Sequence, residues 1–373
     1  MVGVLGVLGV LGGMDVVGVG CVGGATCAAT TGCHNKPHNK TAPRGQCTNS
    51  LMINIVSTSA SALNHPWCKG SAGVRLVLAG CLAVSLSGCA WLGNKQSELA
   101  LRPTPTLPAH VASGEASLRP GDLRFTVPIE PRRAVALVGP VVRGDATPQQ
   151  LALWWLPHPD PQAPTLLYLH GTFRNLYQNL TKIDALREAG FAIVAVDYRG
   201  WGDSTRIVPT EASINADVQL AWAELQRRQP VPGRRVIFGH SMGGALAVSL
   251  ASRLKHGNDY GALVLESTFT RLPDVAATAG FWGRVAAGLT TLQFNSLGLI
   301  GRVDAPILML HGDADRTVPI SLGRRLRDAA RPGVRWLEVP GGTHSQLHSQ
   351  APAVYRQALI DLMKAAAAPL PGE

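Results

Sequence analysis

The chain of 373 residues, 46 % hydrophobic and 16 % charged, holds enough apolar material for a sizeable core, and reads as one domain of about 250 residues once an atypical first ninety are set aside. The formal net charge is +10, yet the basic residues are scattered and form no Lys/Arg block, so no nucleic-acid partner is expected. All seven cysteines fall at or before Cys89, which excludes a disulfide framework, a cysteine nucleophile or a thiolate metal site from everything downstream.

Residues 1–73 open on a Val-Leu-Gly repeat and continue as a Cys, His, Asn and Thr mixture without helical or strand periodicity, so no packed core is expected there. Cys33, His34 and His38 match no zinc-ligand spacing. Residues 74–89 differ: Arg75, an apolar run from Leu76 to Leu86, then Leu86-Ser87-Gly88-Cys89, a secretory signal in pattern. The ending resembles a bacterial lipobox. That resemblance implies cleavage before Cys89, lipidation of its thiol and, with Ala90 next, a protein anchored in the outer membrane facing the periplasm. Its distance from Met1 implies translation from a downstream start, near Met52 or near Val74, in which case residues 1 to about 70 are not made. The other reading is an uncleaved anchor over Leu76 to Leu92, barely long enough to span a bilayer. Residues 90–121, with Pro103, Pro105, Pro108 and Pro120, are expected to be an irregular spacer.

From residue 122 to 373 short β-rich runs alternate with helical ones. Strands are expected at 151–156, 165–170, 191–197, 235–240, 262–267, 306–312 and 334–339. Most are continuously apolar, as strands covered on both faces of a parallel sheet must be. Helices are expected near 176–189, 210–229, 242–256, 319–330 and 351–366, with Thr210 as an N-cap and Pro319 in a first turn. The alternation predicts an open α/β sheet that binds ligands beyond the carboxyl ends of its strands.

One joint carries chemistry. Gly239-His240-Ser241-Met242-Gly243 fits G-x-S-x-G between the strand 235–240 and a helix bearing Leu246, Leu250 and Leu254. The glycines leave room where strand folds back onto helix, and the serine is expected above the sheet edge with its hydroxyl exposed. A serine hydroxyl is a weak nucleophile without an imidazole to take its proton and a carboxylate to orient that imidazole. Loops after the last two strands supply both: His311-Gly312-Asp313-Ala314-Asp315-Arg316-Thr317-Val318-Pro319, and Pro340-Gly341-Gly342-Thr343-His344-Ser345.

In these loops the chain, over roughly residues 125–365, resembles the α/β-hydrolase superfamily, particularly its serine aminopeptidase-like and monoacylglycerol-lipase-like branch. The resemblance implies a mostly parallel twisted sheet with helices on both faces and a small helical lid. It also implies Ser241 as nucleophile, Asp315 as acid and His344 as base, with Asp313 the rival acid. Glu266 is a further carboxylate, read as a structural hydrogen-bonder, and His348 is read as a surface residue. The oxyanion donors implied are the backbone N–H groups of Met242 and of Thr172, in the turn His170-Gly171-Thr172-Phe173, with His170 holding that loop. Asp197-Tyr198-Arg199-Gly200-Trp201-Gly202-Asp203-Ser204 matches the family's D-x-R-G-x-G-x-S turn, in which Arg199 and Asp203 are expected in internal pairs.

Specificity in this fold is expected from the lid, about 268–304, where Phe281, Trp282, Leu289, Leu292 and Phe294 either line an acyl pocket or pack the lid on the body. The expected activity is hydrolysis of small-molecule esters or thioesters through an acyl-enzyme, with no cofactor and no metal implied. Dehalogenase and epoxide-hydrolase chemistry needs a carboxylate where this chain has Ser241. An aminopeptidase-like amide hydrolase is the runner-up, and a non-catalytic envelope scaffold is the reading from another class.

Overall fold

The computed structural model describes residues 93–105, 118–129 and 148–366. The low-complexity residues 1–73, the signal 74–89 and Cys89 lie outside the described residues.

Eight strands form one sheet in the order β1-β2-β4-β3-β5-β6-β7-β8. They are β1 (Leu123–Ile129), β2 (Gln149–Leu156), β3 (Thr165–Leu169), β4 (Ala192–Asp197), β5 (Arg235–His240), β6 (Ala262–Glu266), β7 (Ile307–Gly312) and β8 (Arg335–Val339). β1/β2 and β2/β4 run antiparallel, and every later pair is parallel. Each of the seven expected strands is present within one or two residues. β1 is the addition. Its LRFTVPI sequence points alternate residues Phe125, Val127 and Ile129 at the core, but Arg124 and Pro128 interrupt the apolar run that marks the other strands.

The sheet sorts its side chains by parity, as the two-residue period requires. Leu167 and Leu169, Val194 and Val196, Ile237, and Leu263 and Leu265 pack on one face with Ile214, Val218, Leu246 and Leu250. Leu166 and Tyr168, Ile193 and Ala195, Val236 and Phe238, and Val264 pack on the other with Ile183, Leu186, Leu359 and Leu362. Both faces are thus dry, and each fully buried apolar side chain contributes roughly 1.5–3 kcal/mol of transfer free energy.

The helices are α1 (93–101), α2 (Leu180–Glu188), α3 (Glu211–Arg228), α4 (Met242–Ala251), α5 (Leu272–Ala277), α6 (Phe281–Leu289), α7 (Ile320–Asp328), α8 (Leu347–Gln350) and α9 (Pro352–Ala366). Thr210 caps α3 in a reciprocal box: its Oγ1 accepts from Ser213 N at 3.0 Å while Ser213 Oγ accepts from Thr210 N at 2.9 Å. α1 stands where an irregular spacer is expected. Leu101, 1 % exposed, plugs into the core, Lys95 and Glu98 pair at 2.7 Å, and Pro103 stops the helix rather than forbidding it. α5 and α6 form the lid between β6 and β7.

A hydrogen-bonded serine, imidazole and carboxylate

β5 delivers Ser241 with φ +55° and ψ −119°, and α4 starts at the next residue. A non-glycine residue holds that backbone only where its surroundings enforce it. Here Ser241 N donates to Glu266 O at 2.9 Å, and Ser241 O accepts from Gly244 N and from Thr268 Oγ1, both at 2.9 Å. A Cβ on Gly239 would run into the Gly243 carbonyl, and one on Gly243 into the Leu169 carbonyl. The elbow therefore needs both glycines.

His344 reaches the elbow from the loop after β8. Its Nε2 lies 3.0 Å from Ser241 Oγ and its Nδ1 2.7 Å from Asp315 Oδ2. Asp315, 6 % exposed, offers its other oxygen to Thr317 N and Val318 N, each at 2.9 Å. Burial opposes its charge, but the neighbouring His311 and His344 rings and the Val318 N–H outweigh burial and hold the carboxyl well below the usual range. An ionised Asp315 only accepts, so the His344 proton sits on Nδ1 and Nε2 is left to accept from the serine hydroxyl.

Asp313 is not part of this chain of bonds. It is exposed, and its Oδ1 accepts from Gly341 N at 2.6 Å, tying the acid loop to the His344 loop. Glu266 is fully buried under the elbow, bonded to Lys182 and, at 2.7 Å, to the Tyr355 hydroxyl. His348 departs from expectation: it is buried rather than on the surface, because α8 turns it inward against Tyr355, 6.3 Å between ring centroids. Burial, then the nearby Lys182 charge, lowers its pKa. Among the described residues no group of three His, Cys, Asp or Glu side chains is placed to hold a metal ion.

Gly171 sits against the elbow, where a Cβ would lie 3.1 Å from Ser241 Cβ, and this brings the Thr172 peptide beside the serine. Met242 opens α4, so its N–H is an orphan donor of a first helical turn. The loop is held from behind by His170, whose Nδ1 lies 2.6 Å from Gly171 O and whose carbonyl accepts from Tyr198 Oη at 3.1 Å. The D-x-R-G-x-G-x-S turn is internally paired as expected, Arg199 Nε to Asp217 at 2.8 Å and Tyr177 Oη to Asp203 at 2.5 Å.

Ser241 is less open than the sequence suggests, at 7 % exposed. His344, its neighbour, lines a recess of about 430 Å³ together with Arg174, Arg316, Thr317, Thr343 and Gln346. The lid residues divide. Leu292 and Phe294 are buried in the body, whereas Phe281, Trp282 and Leu289 are 64 %, 62 % and 68 % exposed and do neither of the things expected of them.

The family model for serine aminopeptidase, S33, matches residues 159–300. An uncharacterized protein of Mycobacterium tuberculosis, Rv2307c, is 33 % identical over 198 residues, covering 52 % of this chain and 68 % of that protein. The chain belongs to the serine aminopeptidase S33 family. Another relative is the lysophosphatidylserine lipase ABHD12 of Danio rerio, 32 % identical over 182 residues, 45 % of this chain and about half, 47 %, of that one. The Pyrococcus furiosus esterase Pf2001 aligns over 70 % of this chain and 96 % of its own with a TM-score of 0.50 at 16 % identity, a likeness of α/β-hydrolase fold. The S33 match ends before Asp315 and His344, so the folded sheet, rather than the matched segment, unites them with Ser241. Arg174, two residues beyond Thr172, is the site residue that sequence reading passed over, because an arginine in a loop carries no pattern.

Proposed function

We propose that this S33 chain is a serine hydrolase that cleaves carboxylic esters or thioesters through an acyl-enzyme intermediate. One observation carries the reading: the unbroken bond sequence from Ser241 Oγ through the His344 ring to Asp315. As Ser241 Oγ attacks the carbonyl, His344 Nε2 takes its proton, and Asp315 stabilises the imidazolium that forms. The N–H groups of Met242 and Thr172 receive the oxyanion. His344 then returns the proton to the leaving oxygen of an ester, or sulfur of a thioester, and a water molecule, activated by the same imidazole, releases the acyl group as a carboxylic acid.

The family description names an aminopeptidase, whereas one relative is named a lipase. The ester reading is favoured over the amide one because a peptide's ammonium terminus would meet two guanidinium groups in the recess and no carboxylate among its lining residues. A fluorophosphonate probe tests the reading: it labels the protein and fails to label Ser241→Ala, and an unlabelled wild type leaves only the scaffold reading.

The proposal includes a membrane tether in a bacterial envelope, through lipid on Cys89 and outer-membrane sorting to the periplasmic side. Its support is the Leu86-Ser87-Gly88-Cys89 pattern and the exposed apolar lid beside α1, where Gln96 Nε2 donates to Leu289 O at 3.1 Å. No helix among the described residues is long and apolar enough to cross a membrane. Mass spectrometry of the mature N-terminus tests the tether, since an unmodified peptide spanning Gly88 and Cys89 contradicts it.

A further inference from the structure

The recess beside His344 has a chemistry of its own. Its walls come from the loop after β3, which carries Arg174, and from the loops after β7 and β8, which carry Arg316 and His344; no lid residue lines it. Both arginines are exposed, and among the described residues neither side chain makes an ion pair or hydrogen bond. Exposure alone does not explain this. Arg119 and Arg324, 47 % and 46 % exposed, each hold a carboxylate, at 2.6 Å and 2.7 Å.

The direction of the reaction says which half of the substrate meets these charges. His344 Nε2 must hand its proton to the leaving oxygen, so the alcohol departs along the imidazole, on the side where the recess lies. We propose that the recess holds the alcohol half of the ester, and that Arg174 and Arg316 select alcohols bearing an anionic phosphate or carboxylate group. Guanidinium is the side chain suited to either anion, because its planar fork donates two parallel hydrogen bonds to a pair of oxygens. Two like charges on one small recess repel until an anion sits between them, and the anion removes that repulsion as it binds. The covalent step is unchanged: the anionic group binds and leaves with the alcohol and takes no part in bond making.

This inference rests on the ester-hydrolase reading, and the test separates the two. Steady-state kcat/KM is measured for the full chain on three soluble esters of one acyl group: 1-butyrylglycerol, 1-butyrylglycerol 3-phosphate and O-butyryl-lactate. A charge-assisted pair of bonds predicts a ratio of anionic to neutral kcat/KM of about tenfold or more. The ratio falls to within about twofold in the Arg174→Gln/Arg316→Gln double variant, and it shrinks in wild type as salt is raised. Phosphate and carboxylate arms identify the preferred anion, and either one over glycerol supports the inference. Equal rates on all three esters overturn it, as does a preference that survives in the double variant. Turnover of no ester, with no fluorophosphonate labelling, instead removes the hydrolase reading beneath it.

Discussion

His240, the residue before the elbow serine, holds the loop of the imidazole that faces that serine: its Nε2 donates to the backbone carbonyl of His344 at 2.9 Å, with the two rings 5.0 Å apart. A carbonyl only accepts, so His240 must keep its proton on Nε2. Burial, followed by the charges of Lys182 and His344, pushes its pKa well down and keeps the ring neutral. The variable position of G-x-S-x-G thus does a positioning task here. His240→Ala is expected to lower kcat about tenfold, the worth of one buried hydrogen bond, with KM little changed, and His240→Gln, which keeps an N–H donor, to recover part of the loss. Steady-state kinetics on a soluble p-nitrophenyl ester decides it; equal kcat for all three proteins removes the role.

The two aspartates of the acid loop separate cleanly. Asp315→Asn puts an amide where His344 Nδ1 must donate, so the ring loses its orientation and the partner of its positive charge; kcat is expected to fall by a factor on the order of 10³–10⁴. Asp313→Asn keeps an oxygen for Gly341 N and is expected to cost less than about threefold, since a neutral acceptor still bonds the loop. A larger loss from Asp313→Asn than from Asp315→Asn would reverse the assignment. His344→Ala belongs with Asp315→Asn, with a loss on the order of 10³ or more.

Buried parallel strands such as β3, β5 and β7 are readable because both faces are dry and the apolar run is nearly unbroken, and the loops that carry Thr172, Ser241 and Asp315 follow them; the His344 loop follows β8, an edge strand of mixed burial whose RWLEV sequence is still short and β-rich. β1 and α1 were not readable, for opposite reasons. β1 is an edge strand whose inward residues are spaced by Arg124, Thr126 and Pro128, while α1 is short and polar and is fixed mainly by Leu101 entering the core. His348 looked exposed because its neighbours are polar. Its burial depends on how α8 lies against α9, a tertiary fact. The lone charges Arg174 and Arg316 acquire meaning only when two distant loops bring them to one recess.

Gly243→Ala tests how the elbow is built. The added methyl would meet the carbonyls of Leu169 and, at 2.7 Å, His170, both backbone atoms at the start of the Thr172 loop, so β3 or α4 must shift. Overpacking of this kind costs about 1–3 kcal/mol, which lowers Tm by several degrees in a domain of this size. The same shift moves the Thr172 N–H, so fluorophosphonate labelling is expected to slow as well. An unchanged Tm with full labelling would show that the glycine is dispensable.

Alkaline stability has a named contributor in Tyr177. Burial first, and then its hydrogen bond to Asp203, push its phenol up from near 10 to about 12. The folded protein therefore holds this proton more tightly than the unfolded chain does. The resulting stability is fully present below pH 10 and is lost as pH rises toward about 12. Tyr177→Phe removes the contribution, so the difference in unfolding free energy between wild type and variant, from urea titrations, is expected to be largest below pH 10 and to narrow above it. A gap constant with pH would mean that the bond carries no proton linkage.

The lid offers the last test, because α6 presents Phe281, Trp282, Val285 and Leu289 to the outside and buries none of its residues. Their spacing of one, four and eight places them along one side of the helix, with the Phe281 and Trp282 rings edge to face at 5.2 Å. If the proposed tether holds the protein at a bilayer, this open apolar face beside α1 is the one expected to enter the bilayer interface. Burying two aromatic rings in such an interface is worth several kcal/mol at most, so Phe281→Ser/Trp282→Ser, made in a protein without the proposed lipid on Cys89, is expected to bind phospholipid vesicles about tenfold or more weakly than its parent. Cosedimentation measures the partition, and a blue shift of tryptophan emission on adding vesicles, absent in Trp282→Phe, ties it to this helix. Equal partition of parent and double variant would mean that this face of the lid does not enter a bilayer.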